Sequence, residues 1–222
     1  MKPLITLANW VVTLITPFFL LIIGVYVLMG PMFLEFEYHQ ADFPADTYGF
    51  SVADRLKYSK VAVEYLVNSA DISFLGKETF ADGSSLYQPQ ELSHMEDVKS
   101  VVQKTFAAWW GLLVIVLGVG IWAWRIHWFS NYLKSLSRGG WLTIGLLLVV
   151  AVFVMTSFYD LFTWFHELFF KEGSWMFAYS DTLIRLFPLR FWQDAFIFAG
   201  VIAIVGGLVL GLGGWYLSKK FD

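Results

Sequence analysis

Four long stretches of the 222-residue chain contain no Asp, Glu, Lys or Arg. The stretches have 32, 20, 21 and 24 residues and cover residues 3–34, 105–124, 139–159 and 195–218. A hydrocarbon core about 30 Å thick needs about 20 apolar helical residues, so each stretch can cross a membrane once. The pattern predicts an all-α integral membrane protein with four transmembrane helices. These spans are expected at about residues 10–33, 106–126, 140–160 and 194–217.

The composition agrees with a membrane protein and excludes several classes of function. Hydrophobic residues make up 58% of the chain, charged residues 15%, and the mean hydropathy is +0.62. A net charge of -3 offers no basic field for a nucleic-acid backbone, so no nucleic-acid partner is expected. With no cysteine, thiol nucleophiles and thiolate metal sites are excluded. Any catalysis must use His, carboxylate, Ser or Arg, and no cofactor is expected.

The basic residues of the short segments predict the orientation in the membrane. One side would carry a single acid, Asp222, beside six bases, Lys2, Arg125, Lys134, Arg138, Lys219 and Lys220. Because Lys and Arg favour the cytoplasmic side, both termini are expected there. The whole chain, 1–222, is expected to form one membrane domain, with residues 35–104 and 161–193 as an extracytoplasmic cap.

The cap is expected to contain short helices and a small hairpin. Ser51 followed by Asp54 indicates the beginning of an amphipathic helix. Turn residues at Gly76 and at Asp82-Gly83, between short apolar segments, indicate the hairpin. Nothing interrupts the helical pattern after Pro89, so that helix should continue directly into the second span.

Gly207 and Gly211 form a GxxxG pattern in the fourth predicted span. Small residues at this spacing let another helix approach closely. Packing within the chain and dimerisation through this face both satisfy the pattern.

The four histidines are the first candidates for chemistry, because imidazole exchanges protons near neutral pH. His127 lies beside Arg125 at the cytoplasmic edge and is set aside. His39 is interpreted as an ordinary interfacial residue. His94 lies three residues before Asp97, on one helix face, so this carboxylate could orient the imidazole. His166 precedes a carboxylate at the adjacent position, which on a helix points elsewhere.

Other chemistry is weaker. Phe170 stands where the zinc-protease motif HExxH needs its second histidine after His166, so that metal site is not built. A zinc site from His39, His94 and His166 stays open as a weaker alternative, as does a cap in which the histidines only complete hydrogen bonds.

Several segments are similar to a known family. They are Leu92–Lys99, Phe165–Phe170, Gly173–Trp175, Asp181–Pro188 and Phe191–Asp194. Together with the four-span plan, they resemble the lipoprotein intramolecular transacylase family, the Lit family of bacterial membrane enzymes. The spans themselves are too generic to add weight.

The resemblance implies an acyltransferase in the bacterial cytoplasmic membrane, acting at the outer leaflet on diacylated lipoproteins. The sn-2 acyl chain of the diacylglyceryl group would move to the α-amino group of the N-terminal cysteine, giving the lyso form. Its membrane-lipid surroundings and the lipoprotein would be its partners, and neither metal nor cofactor is implied. A non-enzymatic scaffold or lipid-binding accessory protein is the alternative.

The resemblance also implies roles for particular residues. His94 and His166 match the two motif histidines and would act as acid and base. The candidates for binding substrate or the oxyanion are Arg185, Asp97, Asp181 and Trp175, although a structural salt bridge explains Arg185 equally well. Direct transfer and an acyl-histidine intermediate both fit this chemistry.

Overall fold

The computed structural model describes residues 2–221, and the part described is helical without a β-strand. Its helices are α1 (Lys2–Leu28), α2 (Pro31–Tyr38), α3 (Val52–Val67), α4 (Ser73–Gly76), α5 (Pro89–Arg125), α6 (Phe129–Thr156), α7 (Phe158–Phe169), α8 (Thr182–Leu186) and α9 (Leu189–Ser218). The all-α expectation is therefore confirmed.

Four helices, α1, α5, α6 and α9, are long and apolar enough to cross a membrane. The expected number of spans is confirmed, and the chain is a multi-pass membrane protein. With 37 residues, α5 is about 55 Å long, well beyond the ~30 Å hydrocarbon core. Its charge-free stretch, residues 105–124, is long enough to cross that core, and residues 89–104 precede it. The helix that begins at Pro89 thus continues into the second span, as predicted.

The chain divides into two compact units. The first unit comprises Met1–Tyr26, Phe106–Met155 and Ile197–Asp222, and the second comprises Val27–Thr105 and Thr156–Phe196. The long apolar helices supply the first unit, while the short helices and the start of α5 supply the second.

In the first unit, glycines bring α6 and α9 into backbone contact. A β-carbon added to Gly140 would lie 2.7 Å from the Gly211 nitrogen, and closer still to the Gly207 carbonyl oxygen. Only glycine allows such an approach. Ser137 of α6 adds a hydrogen bond, donated from Oγ to the Gly211 carbonyl oxygen at 2.6 Å. The GxxxG face therefore packs within the chain.

In the second unit, α3 begins with the predicted cap. Ser51 Oγ accepts a hydrogen bond from the Asp54 amide at 3.1 Å, and an Asp54 carboxylate oxygen accepts one from the Ser51 amide at 2.9 Å. This reciprocal pair satisfies two amide groups that the helix leaves unpaired. Fully buried side chains, among them Phe33, Tyr65 and Leu186, form the core of this unit.

The expected hairpin is reduced to one isolated bridge. Residues Ser73–Gly76 form the single turn α4, and the only strand-like pairing among the described residues joins Thr79 to Ser85. Gly83 adopts a φ of 84° at the turn, which suits glycine. The segment between the turn and α5 is too short to extend the pairing into a ladder, because Pro89 already begins the helix.

Candidate active site

Two histidines that are far apart in the chain lie together in the second unit. His94 lies in the second turn of α5, and His166 lies in the last turn of α7. Their ring centroids are 6.3 Å apart and their planes are inclined by 23°. Each side chain is only 7% exposed. The fold thus creates a buried imidazole pair, which neither local sequence segment could form alone.

Aromatic rings surround both imidazoles. Phe170 and Phe177 meet the His94 ring edge-on, at centroid distances of 4.8 and 5.4 Å. Phe162 and Trp175 lie 4.0 and 4.7 Å from the His166 ring. An apolar wall of this kind excludes water, which strengthens electrostatic interactions inside it.

The hydrogen bond of His166 fixes which of its nitrogens carries the proton. Nδ1 lies 2.8 Å from the Phe162 carbonyl oxygen, one turn earlier in α7. Because a carbonyl oxygen only accepts, Nδ1 is the donor. In the neutral ring, Nε2 therefore keeps its lone pair and can accept a proton from a bound substrate.

Burial favours the neutral form of both rings. Desolvation lowers the pKa of His166 below its ordinary value, although the Nδ1 hydrogen bond to Phe162 opposes this shift. Desolvation, and to a smaller degree the neighbouring His166, lowers the pKa of His94 to about 4. Asp97 opposes that shift through its charge. Both histidines are consequently uncharged at neutral pH and able to accept a proton.

Two buried donors or acceptors beside this pair have no hydrogen-bond partner among the described residues. They are His94 Nδ1 and the Trp175 indole Nε1. Leaving a buried polar atom unpaired costs about 1–3 kcal/mol, so such atoms need an explanation. A polar substrate group bound between the rings would satisfy them.

Glu91 fixes the beginning of α5, one turn before His94. One carboxylate oxygen accepts the Gln88 amide at 2.7 Å, and the other accepts the Leu183 amide at 2.6 Å. The residue is 1% exposed. The first bond repeats the capping box, in which a glutamate at the third helical position bonds back to the residue before the helix. The second bond joins α5 to α8.

Gln90 fixes the turn that carries Trp175. Its side-chain amide donates to the carbonyl oxygens of Gly173 and Met176, at 3.3 and 3.4 Å. These two carbonyl groups flank Trp175 in the chain. The orientation of the indole against His166 thus depends on the same α5 turns that carry His94.

Arg185 forms a structural ion pair. Its Nε and Nη2 donate to one Asp46 carboxylate oxygen at 3.1 and 3.0 Å, and Nη2 also donates to the Tyr48 carbonyl oxygen. The guanidinium carbon lies 3.5 Å from the centroid of the Phe50 ring. Burial alone would raise the pKa of Asp46, but hydrogen bonds from Phe50 and Arg185 lower it below its usual range. These contacts fit the structural alternative, and a role of Arg185 in binding substrate or the oxyanion stays a prediction.

The other carboxylates predicted for the site lie in different surroundings. Asp97 is exposed, and it acts on His94 by charge, since Nδ1 of that ring is unpaired. Asp181 precedes α8, where one carboxylate oxygen accepts the Ala178 amide at 2.9 Å. That bond gives Asp181 a role in shaping the turn.

His39 does not join the pair. It is exposed, and its Nδ1 hydrogen-bonds the Glu35 carbonyl oxygen at 2.8 Å. Within residues 2–221, no three His, Cys, Asp or Glu side chains are grouped so as to hold a metal ion. The weaker zinc alternative, which required His39 beside His94 and His166, is wrong.

Comparison with known proteins assigns the family. Residues 9–192 match the family described as lipoprotein intramolecular transacylase Lit. The chain belongs to the Lit family. A relative from Aquifex aeolicus (strain VF5), described as an uncharacterized protein, is 29% identical over 221 residues, covering 100% of this chain and 97% of the relative.

Solved Lit structures have the same fold. The in meso structure of Lit from Bacillus cereus superposes with a TM-score of 0.82 at 21% identity, covering 99% of this chain and 98% of the other. A variant of that protein with one histidine replaced by arginine gives 0.74, covering 99% of this chain and 94% of the other. A variant with alanine at the same position gives a TM-score of 0.75, covering 99% of this chain and 96% of the other. Both variants are also 21% identical to this chain.

Two residues that shape the site of this Lit family member were not among the residues predicted for it. Glu91 had an available signal, because it stands two residues after Pro89 in the pattern of a helix beginning. Asp46 had no signal in the sequence, because it lies 139 residues from Arg185 and only the fold brings the two together.

Proposed function

We propose that this protein transfers an acyl chain within a bacterial lipoprotein. The acyl chain at the sn-2 position of the diacylglyceryl group moves to the α-amino group of the N-terminal cysteine, which gives the lyso form of the lipoprotein. The buried pair of His94 and His166 carries the proposal, because it supplies two proton-transfer groups inside an apolar wall. Membership of the Lit family supports the same reaction.

The reaction requires one proton to move from nitrogen to oxygen. The neutral amine attacks the ester carbonyl, a C–N bond forms, the C–O bond to glycerol breaks, and the glyceryl oxygen takes up the proton. Donor and acceptor belong to one molecule, so neither water nor a cofactor enters the balance. Holding both groups in one bound lipid head adds the advantage of proximity.

The protonation of His166 supports its role as base. Its Nε2 lone pair can accept the proton that the attacking nitrogen loses, while Nδ1 remains bonded to Phe162. The protonated His166 then returns this proton to the departing glyceryl oxygen. His94, whose ring centroid lies 6.3 Å away, can relay it, because a neutral imidazole has one lone pair that accepts a proton and one N–H that passes a proton on. General acid-base catalysis of this kind contributes about 10²- to 10⁴-fold.

The unpaired indole N–H of Trp175 is suited to the developing oxyanion. It is buried beside His166 and has no protein acceptor among the described residues. A donor that is already oriented before the reaction stabilises charge without further reorganisation. We assign the oxyanion role to Trp175, and the site to the outer leaflet with both termini in the cytoplasm.

Mass spectrometry of a reporter lipoprotein tests this function directly. Cells that lack the activity would express the wild-type chain, His94→Ala, His166→Ala or the exposed control His39→Ala. The wild type and the control should shift one acyl chain from glycerol to the amino group. Both active-site variants should leave the N-terminal lipopeptide unchanged while remaining in the membrane at wild-type level.

Two results would contradict the proposal. An unchanged lipopeptide with the wild-type chain would remove the reaction and favour a binding role. Normal product from both alanine variants would keep the reaction but remove the histidines from it.

A further inference from the structure

The second unit contains a buried carboxyl pair that the proposed reaction does not use. Glu37 lies near the end of α2, and Asp194 lies in the second turn of α9. Glu37 is fully buried, and the Asp194 side chain is 18% exposed. Acidic side chains are almost never fully buried unless a partner compensates their charge. The burial of Glu37 therefore needs an explanation.

Aromatic contacts hold the two helices together around this pair. Phe191 of α9 meets the rings of Phe33 and Tyr38 of α2, at centroid distances of 5.3 and 5.9 Å. The Tyr38 hydroxyl also donates to the carbonyl oxygen of Leu186, the last residue of α8, at 2.9 Å. These contacts shield Glu37 from water, so a charge on its side chain is poorly solvated.

Hydrogen bonds satisfy only half of the Glu37 carboxyl group. Oε2 accepts from the Gln40 side-chain amide at 3.0 Å. Oε1 is buried, and no hydrogen-bond donor within residues 2–221 reaches it. The Asp194 carboxyl group lies within hydrogen-bonding reach of Glu37, but two ionised carboxylates can only accept. A hydrogen bond between the two groups therefore requires a proton on one of them.

The charges at the pair leave one negative charge in excess. Arg190, one turn before Asp194 in α9, donates from Nε to Asp194 Oδ2. Its Nη2 donates to Asp42 at 3.1 Å, so the single positive charge is already divided between two aspartates. The guanidinium compensates at most one of the two carboxylates, Glu37 and Asp194. One proton removes the remaining charge, as in other pairs of carboxyl groups that share a site.

The helix α3 also packs against α2, but its charged side chains are bonded elsewhere or exposed. They are Asp54, Arg55, Lys57, Lys60 and Glu64. Lys60 Nζ bonds a carboxylate oxygen of Glu35 at 2.5 Å, and Arg55 donates to two backbone carbonyl oxygens. The other three cap the helix or are exposed. The charges that act on Glu37 are those of Asp194 and Arg190.

The surroundings of Glu37 favour its protonated form. Burial, the charge of Asp194 and a hydrogen bond with Asp194 raise the pKa of Glu37 from 4.5 to about 7, although Gln40 and Arg190 oppose this shift. The folded protein thus binds this proton more tightly than the unfolded chain does. The contribution of Glu37 to stability is therefore largest at acid pH and decreases as the pH rises from 4.5 to about 7.

We propose that Glu37 and Asp194 share one proton, and that this proton holds the end of α2 against the beginning of α9. The O–H group of one carboxyl donates to an oxygen of the other. When the proton passes to water, two carboxylates remain in one buried site and repel each other. This proton-binding site is independent of the acyl-transfer reaction, because neither residue takes part in it.

Thermal unfolding of the full-length protein in detergent, at about pH 5, 6.5 and 8, tests the site. Glu37→Gln keeps the shape of the side chain, is neutral at every pH and supplies its own N–H group to Asp194. Its unfolding midpoint, relative to wild type, should rise by at least about 5 °C between about pH 5 and 8. The control Glu64→Gln changes an exposed glutamate of the same unit. Its midpoint relative to wild type should change by less than about 1 °C.

Infrared spectroscopy detects the proton itself. A protonated carboxyl group has a C=O stretching band that ionisation removes. In the wild type, such a band should be present at about pH 6 and decrease by about pH 8.5. Burial also raises the pKa of Glu91, so the band is assigned by comparing variants. The part of the band that belongs to the pair should be absent from Glu37→Gln and retained in Glu64→Gln.

Two results would overturn the proposal. If the midpoint difference between Glu37→Gln and wild type is the same at every pH, Glu37 does not titrate in this range. If wild type and Glu37→Gln have the same C=O band at about pH 6, the pair holds no proton.

Asp194→Asn gives a second variant if Glu37→Gln does not fold. Its amide donates to Glu37 without a proton from solvent, so its midpoint relative to wild type should also rise with pH. A difference that is independent of pH in this variant would contradict the shared proton. Because neither measurement uses the lipoprotein reaction, failure here leaves the proposed function untouched.

Discussion

Two polar pairs in the second unit both have side chains that are largely shielded from solvent but differ in how their hydrogen bonds are used. Arg185 and Asp46 have side chains 9% and 3% exposed, and Arg185 Nε and Nη2 and one Asp46 carboxylate oxygen are hydrogen-bonded to protein partners. His94 and His166 are each 7% exposed, yet within residues 2–221 His94 Nδ1 has no hydrogen-bond partner, and His166 Nε2 is left with a lone pair. Burial alone therefore does not distinguish a structural group from a reactive one.

The difference shows what each pair can do. A satisfied ion pair can only hold its surroundings, since taking up a substrate would first break existing bonds. An unsatisfied pair costs stability in the free protein and gains bonds when a substrate enters. Substitutions at the two pairs should consequently affect different quantities, rate for the histidines and unfolding for the ion pair.

The largest effect is expected for His166→Asn. The amide keeps a polar group near the Phe162 carbonyl but cannot accept the substrate proton, so the rate of acyl transfer should fall by about 10²- to 10⁴-fold. The unfolding midpoint of the purified protein should change little. Rates would be measured on a purified diacyl lipopeptide. A loss of folded protein equal to the loss of rate would make His166 structural.

Arg185→Leu should produce the opposite result. It leaves the part-buried Asp46 carboxylate without its cationic partner, which should lower the free energy of unfolding by about 1–3 kcal/mol. The rate per folded molecule should remain within about tenfold of wild type. Thermal unfolding in detergent, combined with the lipopeptide assay, measures both quantities. A hundredfold loss of rate in folded Arg185→Leu would return Arg185 to the reacting groups.

Trp175→Phe sharpens the comparison within the histidine site. Phenylalanine keeps a ring against His166 but removes the indole N–H, which has no acceptor in the part of the chain that the structure describes. Loss of one hydrogen bond to the oxyanion should lower kcat by about tenfold, with KM nearly unchanged. The matched control Trp164→Phe alters an exposed indole in the same unit and should keep the wild-type rate. Equal kcat for both variants would remove Trp175 from oxyanion binding.

The smallest effect concerns pH. Because the pKa of His166 lies below its ordinary value, its base form persists as the pH falls to 6.5. The substrate amine has a pKa of about 8 and attacks only when deprotonated. A plot of the logarithm of the rate against pH should therefore have a slope of about one between about pH 6.5 and 7.5. The slope should steepen only below this range, where His166 becomes protonated. Initial rates would be measured from pH 5 to 8. If the slope already steepened above pH 6.5, His166 would be protonated as in water, which would contradict the lowered pKa.

Local sequence features predicted much of the helical structure. Ser51 with Asp54, and Pro89 at the beginning of α5, give signals within four residues, and the structure has both helices where these signals indicate. The hairpin was the exception. Its glycine turn formed, but the segments around it pair only in the single bridge between Thr79 and Ser85.

The sequence by itself determined the membrane class and the four spans, because apolar runs depend only on neighbours in the chain. The resemblance of short motifs to the family pointed to the two histidines. Three outcomes depended on the tertiary structure alone. His94 and His166, which are 72 residues apart in the sequence, pack against each other, and Asp46 forms an ion pair with Arg185. His39 lies apart from the histidine pair. Those outcomes depend on contacts between distant segments. Such contacts form only when the second unit packs its core and removes polar groups from water.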